Sequence, residues 1–219
     1  MTTYPLIFKA EKTLSHLYSV LAMHRFFILV FLLLTSACTS TSGYLLTFYA
    51  DEQAAPERFE ICHGYSCRYK AQASLPKSTW QSVKIMFIAP SNAAQERDKI
   101  AQAIALLESE AGKLSGIKND LPKSVKTKDT YGQQDCIDET VNTTTYLRMM
   151  QSDNLLRWHE VSTPVRRGYF VDSRWPHNSA AIKETLTGQL YAVDSWPRAN
   201  GEHPDIKPLA LWYREGRNW

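Results

Sequence analysis

The sequence predicts an α+β domain in which helices pack on one side of an antiparallel sheet. Two segments, 92–114 and 136–150, place apolar residues at the 3.6-residue spacing of amphipathic helices. The last third of the chain instead carries short strand-like runs separated by turn residues. We predict a single globular domain over residues 57–219, because a segment of this length can bury a hydrophobic core.

Residues 1–37 have the pattern of a secretory signal. His24 and Arg25 precede the apolar run 26–34, and small residues follow this run up to Cys38. A basic start, a short apolar run and a small-residue cleavage site together are typical of secretory signals. The run is too short to span ~30 Å of hydrocarbon, which needs roughly 20 residues. An uncleaved membrane anchor is the alternative interpretation, and either one predicts that the remainder of the chain is exported.

Residues 34–38 (LTSAC) resemble the lipobox of bacterial lipoproteins, in which small residues precede the cysteine that carries the lipid. The resemblance implies that Cys38 is lipidated, that residues 38–56 form a tether, and that Met23 is the true start. By the sorting pattern of such lipoproteins, Thr39 implies the outer membrane. We therefore expect the protein on the periplasmic side of the cell envelope, held at the membrane by a lipid anchor.

The charge of the chain argues against a nucleic-acid partner. The formal net charge is +3, and no block of like charges forms a binding tail. We predict that the chain binds no nucleic acid. A charge this close to neutral does not discriminate among the remaining substrate classes.

The three other cysteines divide into a pair and a single thiol. Cys62 and Cys67 flank a glycine-containing turn in CHGYSC, and in an oxidising compartment they are natural disulfide partners. The alternative is a metal site that also uses His63, but the sequence lacks a second ligand cluster for it. Cys136 is left as a free thiol.

The first half of the domain is predicted to contain two strands and then a helix. The strands are 59–61, before the cysteine loop, and 83–88, which is a continuous apolar run. The helix is predicted to be capped at Ser91 or Asn92 and to stop at Gly116.

A second helix is predicted to begin at Cys136 and to end near Met150. Asp135 is a favourable N-cap residue, and Asp138 completes a pattern similar to a capping box. The rest of the domain is predicted as three strands, a turn at Thr187-Gly188, an irregular tail over 197–208 and a final apolar patch over 209–213. The strands are 168–172, 178–182 and 189–195.

Three residues, each at the start or end of a predicted element, have the side chains that thiol catalysis needs. Cys136 opens a helix, where unsatisfied N–H groups and the helix dipole favour the thiolate. His177 precedes a strand and is a candidate base for the thiol proton. Asp194 lies near the end of the next strand and is a candidate for orienting the imidazole.

Residues 132–139 (GQQDCIDE) resemble the G-x-x-D-C-x-D element of the transglutaminase-like bacterial cysteine proteinases, and the resemblance extends over about residues 130–195. It implies a transglutaminase-like (papain-like) domain in which Cys136, His177 and Asp194 are catalytic. The implied chemistry is acyl transfer on an amide bond of a protein, peptide or peptidoglycan-type substrate, as a peptidase, amidase or transglutaminase. No metal and no organic cofactor are implied.

Other interpretations of these residues stay open at this stage. Cys136 could be a small buried side chain, and its three acidic neighbours oppose a thiolate because like charges repel. A non-catalytic envelope lipoprotein could use the same scaffold to bind a protein or a glycan. Gln133, Gln134 and the backbone N–H of Cys136 are candidate oxyanion donors. The weaker alternatives are His159 and His203 as the base, Asp172 as the orienting acid, and Trp175, Trp196 and Trp212 as core or pocket wall.

The pairing of the last two predicted strands decides whether His177 and Asp194 can meet. We predict that they lie directly opposite, with a loop over residues 183–188. A tight turn at Thr187-Gly188 would instead place Asp194 opposite Ala181, which is too far from His177 for a hydrogen bond. An intermediate register leaves them diagonal neighbours, within reach of long side chains only.

Overall fold

The computed structural model describes residues 50–117, 119–124, 131–168 and 176–215. The predicted signal region, Cys38 and most of the tether lie outside the described residues. The described residues all belong to one structural unit, Thr41–Trp219. Among them, no helix combines the length and the hydropathy needed to cross a membrane.

The described chain contains four helices and two antiparallel sheets, which confirms the α+β class. In chain order the elements are β1 (Phe59–His63), β2 (Tyr69–Ala73), α1 (Lys77–Met86), α2 (Ala93–Ser115), α3 (Cys136–Ser152), β3 (His159–Arg167), β4 (His177–Glu184), β5 (Leu190–Asp194), β6 (Asp205–Pro208) and α4 (Leu209–Glu215). Strands β1 and β2 form a hairpin, and the other four strands form a sheet in the order β3-β4-β5-β6.

The core lies between α2, α3 and the four-stranded sheet. Its fully buried side chains come from both helices and from the sheet, because amphipathic elements remove their apolar faces from water by packing against one another. They include Ile104 and Leu107 of α2, Tyr146, Leu147 and Met150 of α3, and Ala180, Ile182 and Val193 of the sheet.

Helix α2 has the ends that the sequence predicts. The Asn92 side chain caps its start by accepting a hydrogen bond from the backbone N–H of Gln95. Gly116 ends it in the left-handed conformation with φ of 83°, a conformation that glycine adopts without steric cost.

The prediction of a strand over 83–88 is wrong, because this run belongs mainly to helix α1. Trp80 and Val83 are three residues apart and point into the core, while Ile85 is 56% exposed. A short apolar run fits a buried strand and one face of a helix equally well. The packing of Trp80 and Val83 into the core therefore decides that the segment is helical.

Strand β3, over His159–Arg167, is not among the predicted strands, and Gly168, the first residue of the predicted strand 168–172, lies outside it. Residues 169–172 of the predicted strand lie outside the described residues. Pro164 sits at an irregularity between Ser162 and Val165 in the pairing with β4, on an edge strand where a missing N–H is tolerated. The predicted irregular tail contains strand β6, and the final apolar patch forms α4.

The predicted register, in which His177 lies directly opposite Asp194, is wrong. Strands β4 and β5 pair in a register shifted by two residues. Ala180 pairs with Val193 and Ile182 with Tyr191, which is the intermediate register. The turn closes through hydrogen bonds from Glu184 N to Gln189 O at 2.9 Å and from Gly188 N to Glu184 O at 2.8 Å. His177 and Asp194 are therefore diagonal neighbours that share one face of the sheet.

Candidate active site

The first turn of α3 is built as the sequence predicts and places Cys136 at the helix start. Asp135 accepts hydrogen bonds from the backbone N–H groups of Ile137 and Asp138, both at 2.9 Å. The Asp138 carboxylate accepts from the N–H of Asp135 at 3.2 Å, which completes a capping box. The Asp135 carboxylate thus occupies two of the N–H groups that the helix leaves unsatisfied, and the N–H of Cys136 is another such group.

The sulfur of Cys136 is held by Asn178, the residue after His177. The side-chain Nδ2 of Asn178 lies 3.8 Å from Sγ, and the backbone N–H of Asn178 also donates to the sulfur. Within the part of the chain that the structure describes, the hydrogen bonds of this sulfur go to Asn178 and not to His177. The start of β4 therefore lies directly against the start of α3.

Burial raises the pKa of the Cys136 thiol to about 11, and the charges of Asp135 and Asp194 act in the same direction. The two hydrogen bonds from Asn178 oppose this shift because they favour the anion. The group at rest is therefore a neutral thiol near neutral pH, and attack requires a base that takes its proton during the reaction.

His177 and Asp194 form a buried pair. The imidazole Nε2 lies 2.7 Å from Asp194 Oδ2, and both side chains are 3% exposed. The indole N–H of Trp212 donates to the same oxygen at 2.7 Å. Because Oδ2 of Asp194 is held by donors from β4 and α4, it fixes the orientation of the imidazole and directs Nδ1 away from the carboxylate.

Two tryptophan rings pack against the His177 imidazole. The ring centroid of His177 lies 4.8 Å from that of Trp196 and 5.5 Å from that of Trp212. The Arg167 guanidinium lies 4.2 Å from the Trp212 ring centroid and donates to the Trp212 carbonyl. Trp196 and Trp212 thus form walls around the His177–Asp194 pair, one of the two roles considered for them.

The side chains of Gln133 and Gln134 are used to build the loop before α3. Gln133 donates to the Asn119 carbonyl at 3.1 Å and accepts from Ser124 Oγ at 3.1 Å. Gln134 is buried and donates to the Cys62 carbonyl at 3.1 Å. Both side-chain amides therefore donate to backbone carbonyls, which leaves the backbone N–H of Cys136 as the candidate oxyanion donor.

Four buried carboxyl groups lie together behind the helix start, and we call them the acidic cluster. Its members are Glu108, Asp120, Asp138 and Glu139. Burial raises the pKa of Glu108, Asp120 and Asp138 to about 7. Burial, followed by the charges of the other three and of Asp194, raises the pKa of Glu139 well above its usual value. The described residues contain no group of three or more His, Cys, Asp or Glu side chains arranged to hold a metal ion.

The disulfide between Cys62 and Cys67 is present, with a Cα–Cα distance of 4.6 Å, and Cys136 is a free cysteine. Both parts of the cysteine prediction are confirmed. His63 packs against aromatic rings, with its ring centroid 5.5 Å from that of Tyr69 and 5.1 Å from that of Tyr131.

The other candidate residues lie apart from Cys136 or outside the described chain. His159 is paired with Glu96 at 2.9 Å, and this carboxylate also accepts the backbone N–H groups of Arg157, Trp158 and His159. That pair joins α2 to the start of β3 and has a structural role. His203 is exposed in the loop before β6, and Asp172 and Trp175 lie outside the described residues.

Sequence reasoning missed two components of this site, Asn178 and the acidic cluster. Asn178 follows a candidate histidine, but nothing in the sequence indicates that it contacts a sulfur in another element. The acidic cluster draws its members from α2, the loop after it and α3, so only the folded chain brings them together. Comparison with known proteins adds no assignment, because no protein family, curated protein or solved structure matches this chain.

Proposed function

We propose that this protein is a thiol-dependent acyl-transfer enzyme that acts on amide bonds, with Cys136 as the nucleophile, His177 as the base and Asp194 as the orienting acid. The proposed arrangement is transglutaminase-like. The observation that supports it most is the buried His177–Asp194 hydrogen bond of 2.7 Å beside the helix start that carries Cys136. Asn178 links the two halves through its contact with the sulfur.

In the proposed first step, the Cys136 sulfur attacks the carbonyl carbon of the amide. A C–S bond forms, the thiol proton passes to Nδ1 of His177, and the carbonyl oxygen becomes an oxyanion. The step requires Nδ1 to come within hydrogen-bond reach of the sulfur, a contact that often tightens only when substrate is bound. Asp194 stabilises the imidazolium that results.

The tetrahedral intermediate then collapses to a thioester. The C–N bond breaks, and His177 returns the proton to the departing amine. Water or a second amine attacks the thioester carbonyl, giving its proton to His177, and the thiol re-forms as the acid or the new amide leaves. The backbone N–H of Cys136 is the proposed donor to the oxyanion, because the helix leaves this group unsatisfied.

The test is the reactivity of Cys136 toward iodoacetamide, with labelled peptides identified by mass spectrometry. A general base contributes roughly 10²–10⁴-fold to catalysis, so His177→Ala should slow the labelling of Cys136 by at least about tenfold. His203→Ala is the matched control, because it removes an exposed histidine and should leave the labelling rate unchanged. Equal rates in the two variants would reject His177 as the base.

A non-catalytic scaffold that binds a protein or glycan is the second candidate function. It is favoured by one observation, the raised pKa of the Cys136 thiol, which keeps the sulfur protonated at rest. The same labelling experiment separates the two, since a binding scaffold predicts slow labelling that does not depend on His177.

The proposed location is the periplasmic side of the cell envelope, with a lipid on Cys38. The disulfide between Cys62 and Cys67 supports an oxidising compartment. In that location, the proposed substrates are proteins, peptides or peptidoglycan-type amides.

A further inference from the structure

The turn between β1 and β2 has an uncommon backbone. Four successive residues have positive φ angles: 81° at Gly64, 67° at Tyr65, 58° at Ser66 and 54° at Cys67. Three of them carry side chains, and L-residues with side chains are disfavoured in this left-handed region. The turn therefore depends on interactions outside its own backbone.

The disulfide is the first of these interactions. It joins Cys62, before the turn, to Cys67, its last left-handed residue. The two cysteines pack against Val141 and Ile137 on the first turns of α3. The covalent bond thus closes the turn and holds it against the helix that begins with Cys136.

The backbone N–H groups of the turn are the second interaction, and they are directed at the carboxylates of the capping box. Tyr65 and Cys67 donate to the two oxygens of Asp138, at 2.8 Å and 2.5 Å. Ser66 donates to Oδ2 of Asp135 at 3.0 Å. Successive N–H groups in such a turn form a concave anion site, and here its anions are the side chains on either side of Cys136.

This arrangement joins the disulfide, the turn and the helix start into one hydrogen-bonded unit. Asp135 and Asp138 also fix the first turn of α3 through their capping bonds. Asp138 is fully buried, so the donors from the turn stabilise a charge that burial opposes. Loss of these donors would weaken both carboxylates as caps and would release the backbone that carries Cys136.

We propose that the Cys62–Cys67 disulfide controls the Cys136 nucleophile through the left-handed turn that it closes, so that reduction of the bond switches the site off. The inference rests on the proposed function of Cys136. The reductant is a dithiol, which gives two electrons and two protons to the bond. Cys62 and Cys67 become thiols, and the dithiol closes to its own disulfide. The turn can then relax to negative φ angles and withdraw its N–H groups.

Reduction of the disulfide should speed the labelling of Cys136 and stop acyl transfer. In the oxidised protein the sulfur is buried, and labelling depends on His177. When the helix start is released, the thiol pKa returns from about 11 toward its ordinary value of 9.0. The fraction of Cys136 present as thiolate then rises about a hundredfold. A less basic thiolate is also less nucleophilic, so the rate of Cys136 labelling rises only about tenfold. Labelling also loses its dependence on His177, and acyl transfer stops.

The experiment compares two variants of the full chain. Cys62→Ala/Cys67→Ala removes the bond, while Cys62→Ala/Cys67→Gly removes it but provides a residue that accepts a left-handed φ without steric cost. We expect about tenfold faster iodoacetamide labelling of Cys136 in the first variant and a substantial return toward the wild-type rate in the second. Reduction of folded wild-type protein with dithiothreitol should reproduce the first variant without any substitution.

Amide hydrogen exchange at Ile137 and Asp138 gives a readout that does not depend on catalysis. Exchange at these two amides should accelerate on reduction, while the core of α3 stays protected. If both labelling and exchange are unchanged in reduced, folded protein, the bond has only a structural role and the inference is wrong. If labelling in oxidised protein is independent of His177, the proposed function fails, and the exchange measurement still decides the disulfide inference.

Discussion

Replacing Asn178 with alanine tests whether the hydrogen bonds to the Cys136 sulfur control its ionisation. The substitution removes the side-chain donor at 3.8 Å and keeps the backbone donor of the same residue. Because Asn178 is 8% exposed, water replaces the lost donor only in part. The pKa of Cys136, already raised to about 11, should therefore rise further.

The expected magnitude follows from the strength of such bonds. A hydrogen bond to a charged group contributes about 1.5–3 kcal/mol, and one pKa unit corresponds to about 1.4 kcal/mol. A distance of 3.8 Å favours the low end, so we expect a rise of about one unit. The thiolate fraction then falls about tenfold, the more basic thiolate is about threefold more nucleophilic, and labelling slows by about threefold.

The assay is the rate of Cys136 alkylation by iodoacetamide between about pH 7 and pH 10, where the thiol is mostly protonated. Thr145→Ala is the matched control, because its hydroxyl is buried in α3 and bonds to the Val141 carbonyl. It should lower stability without changing the alkylation rate. Asn178→Asp should slow alkylation more than Asn178→Ala, since a carboxylate would face the sulfur. An unchanged rate in Asn178→Ala would refute this account of the thiol.

Four further predictions concern stability and anchoring. Between about pH 4 and pH 7, the acidic cluster binds more protons in the folded than in the unfolded chain. The free energy of unfolding should therefore fall as the pH rises through this window, and urea titrations at several pH values measure it. At pH 8, Glu139→Gln should raise that free energy by about 1–3 kcal/mol. The Glu139 carboxyl is ionised in the unfolded chain, whereas burial in the folded chain raises its pKa and penalises the charged form, a penalty that a neutral amide does not carry. Gly132→Ala should destabilise the protein by about 1–3 kcal/mol, since φ is 76° and a Cβ would lie 2.8 Å from the Gly116 carbonyl oxygen. Fatty-acid label should enter the wild-type chain and be absent from Cys38→Ala.

Each of these predictions has an outcome that contradicts it, and for Glu139→Gln it is a free energy of unfolding at pH 8 no higher than that of the wild type. Stability that rises between about pH 4 and pH 7 would contradict the raised pKa values of the acidic cluster in the folded state. A melting temperature of Gly132→Ala equal to that of the wild type would place this residue in a different backbone conformation. Continued fatty-acid labelling of Cys38→Ala would exclude this cysteine as the lipidation site, with Cys136→Ala as the control that should label normally.

The sequence by itself determined the features that depend on residues close together in the chain. The start of α3 follows from Asp135 and Asp138, because a capping box is complete within one helical turn. The disulfide follows from two cysteines around one turn, and the ends of α2 follow from Asn92 and Gly116. In each case the interaction that decides the structure lies within a few residues.

Only the tertiary structure decided the features that depend on packing between segments distant in the sequence. Residues 83–86 became helical because Trp80 and Val83 pack into the core, and a short apolar run carries no period that excludes this outcome. The register of β4 and β5 depends on which side chains pack into the core. In this register His177 and Asp194 are diagonal neighbours, and they form a hydrogen bond because their side chains lie on the same face of the sheet.

The candidate site also combines features that the local sequence predicts with contacts that only the tertiary structure forms. Local element prediction and the resemblance of residues 132–139 to a known family together nominated Cys136, His177 and Asp194, since each lies at the start or end of an element whose type the local sequence predicts. The contact of Asn178 with the Cys136 sulfur joins a strand to a helix. The turn that holds Asp138 donates across 73 residues of sequence. Such contacts form only when packing brings the elements together, and no local pattern encodes them.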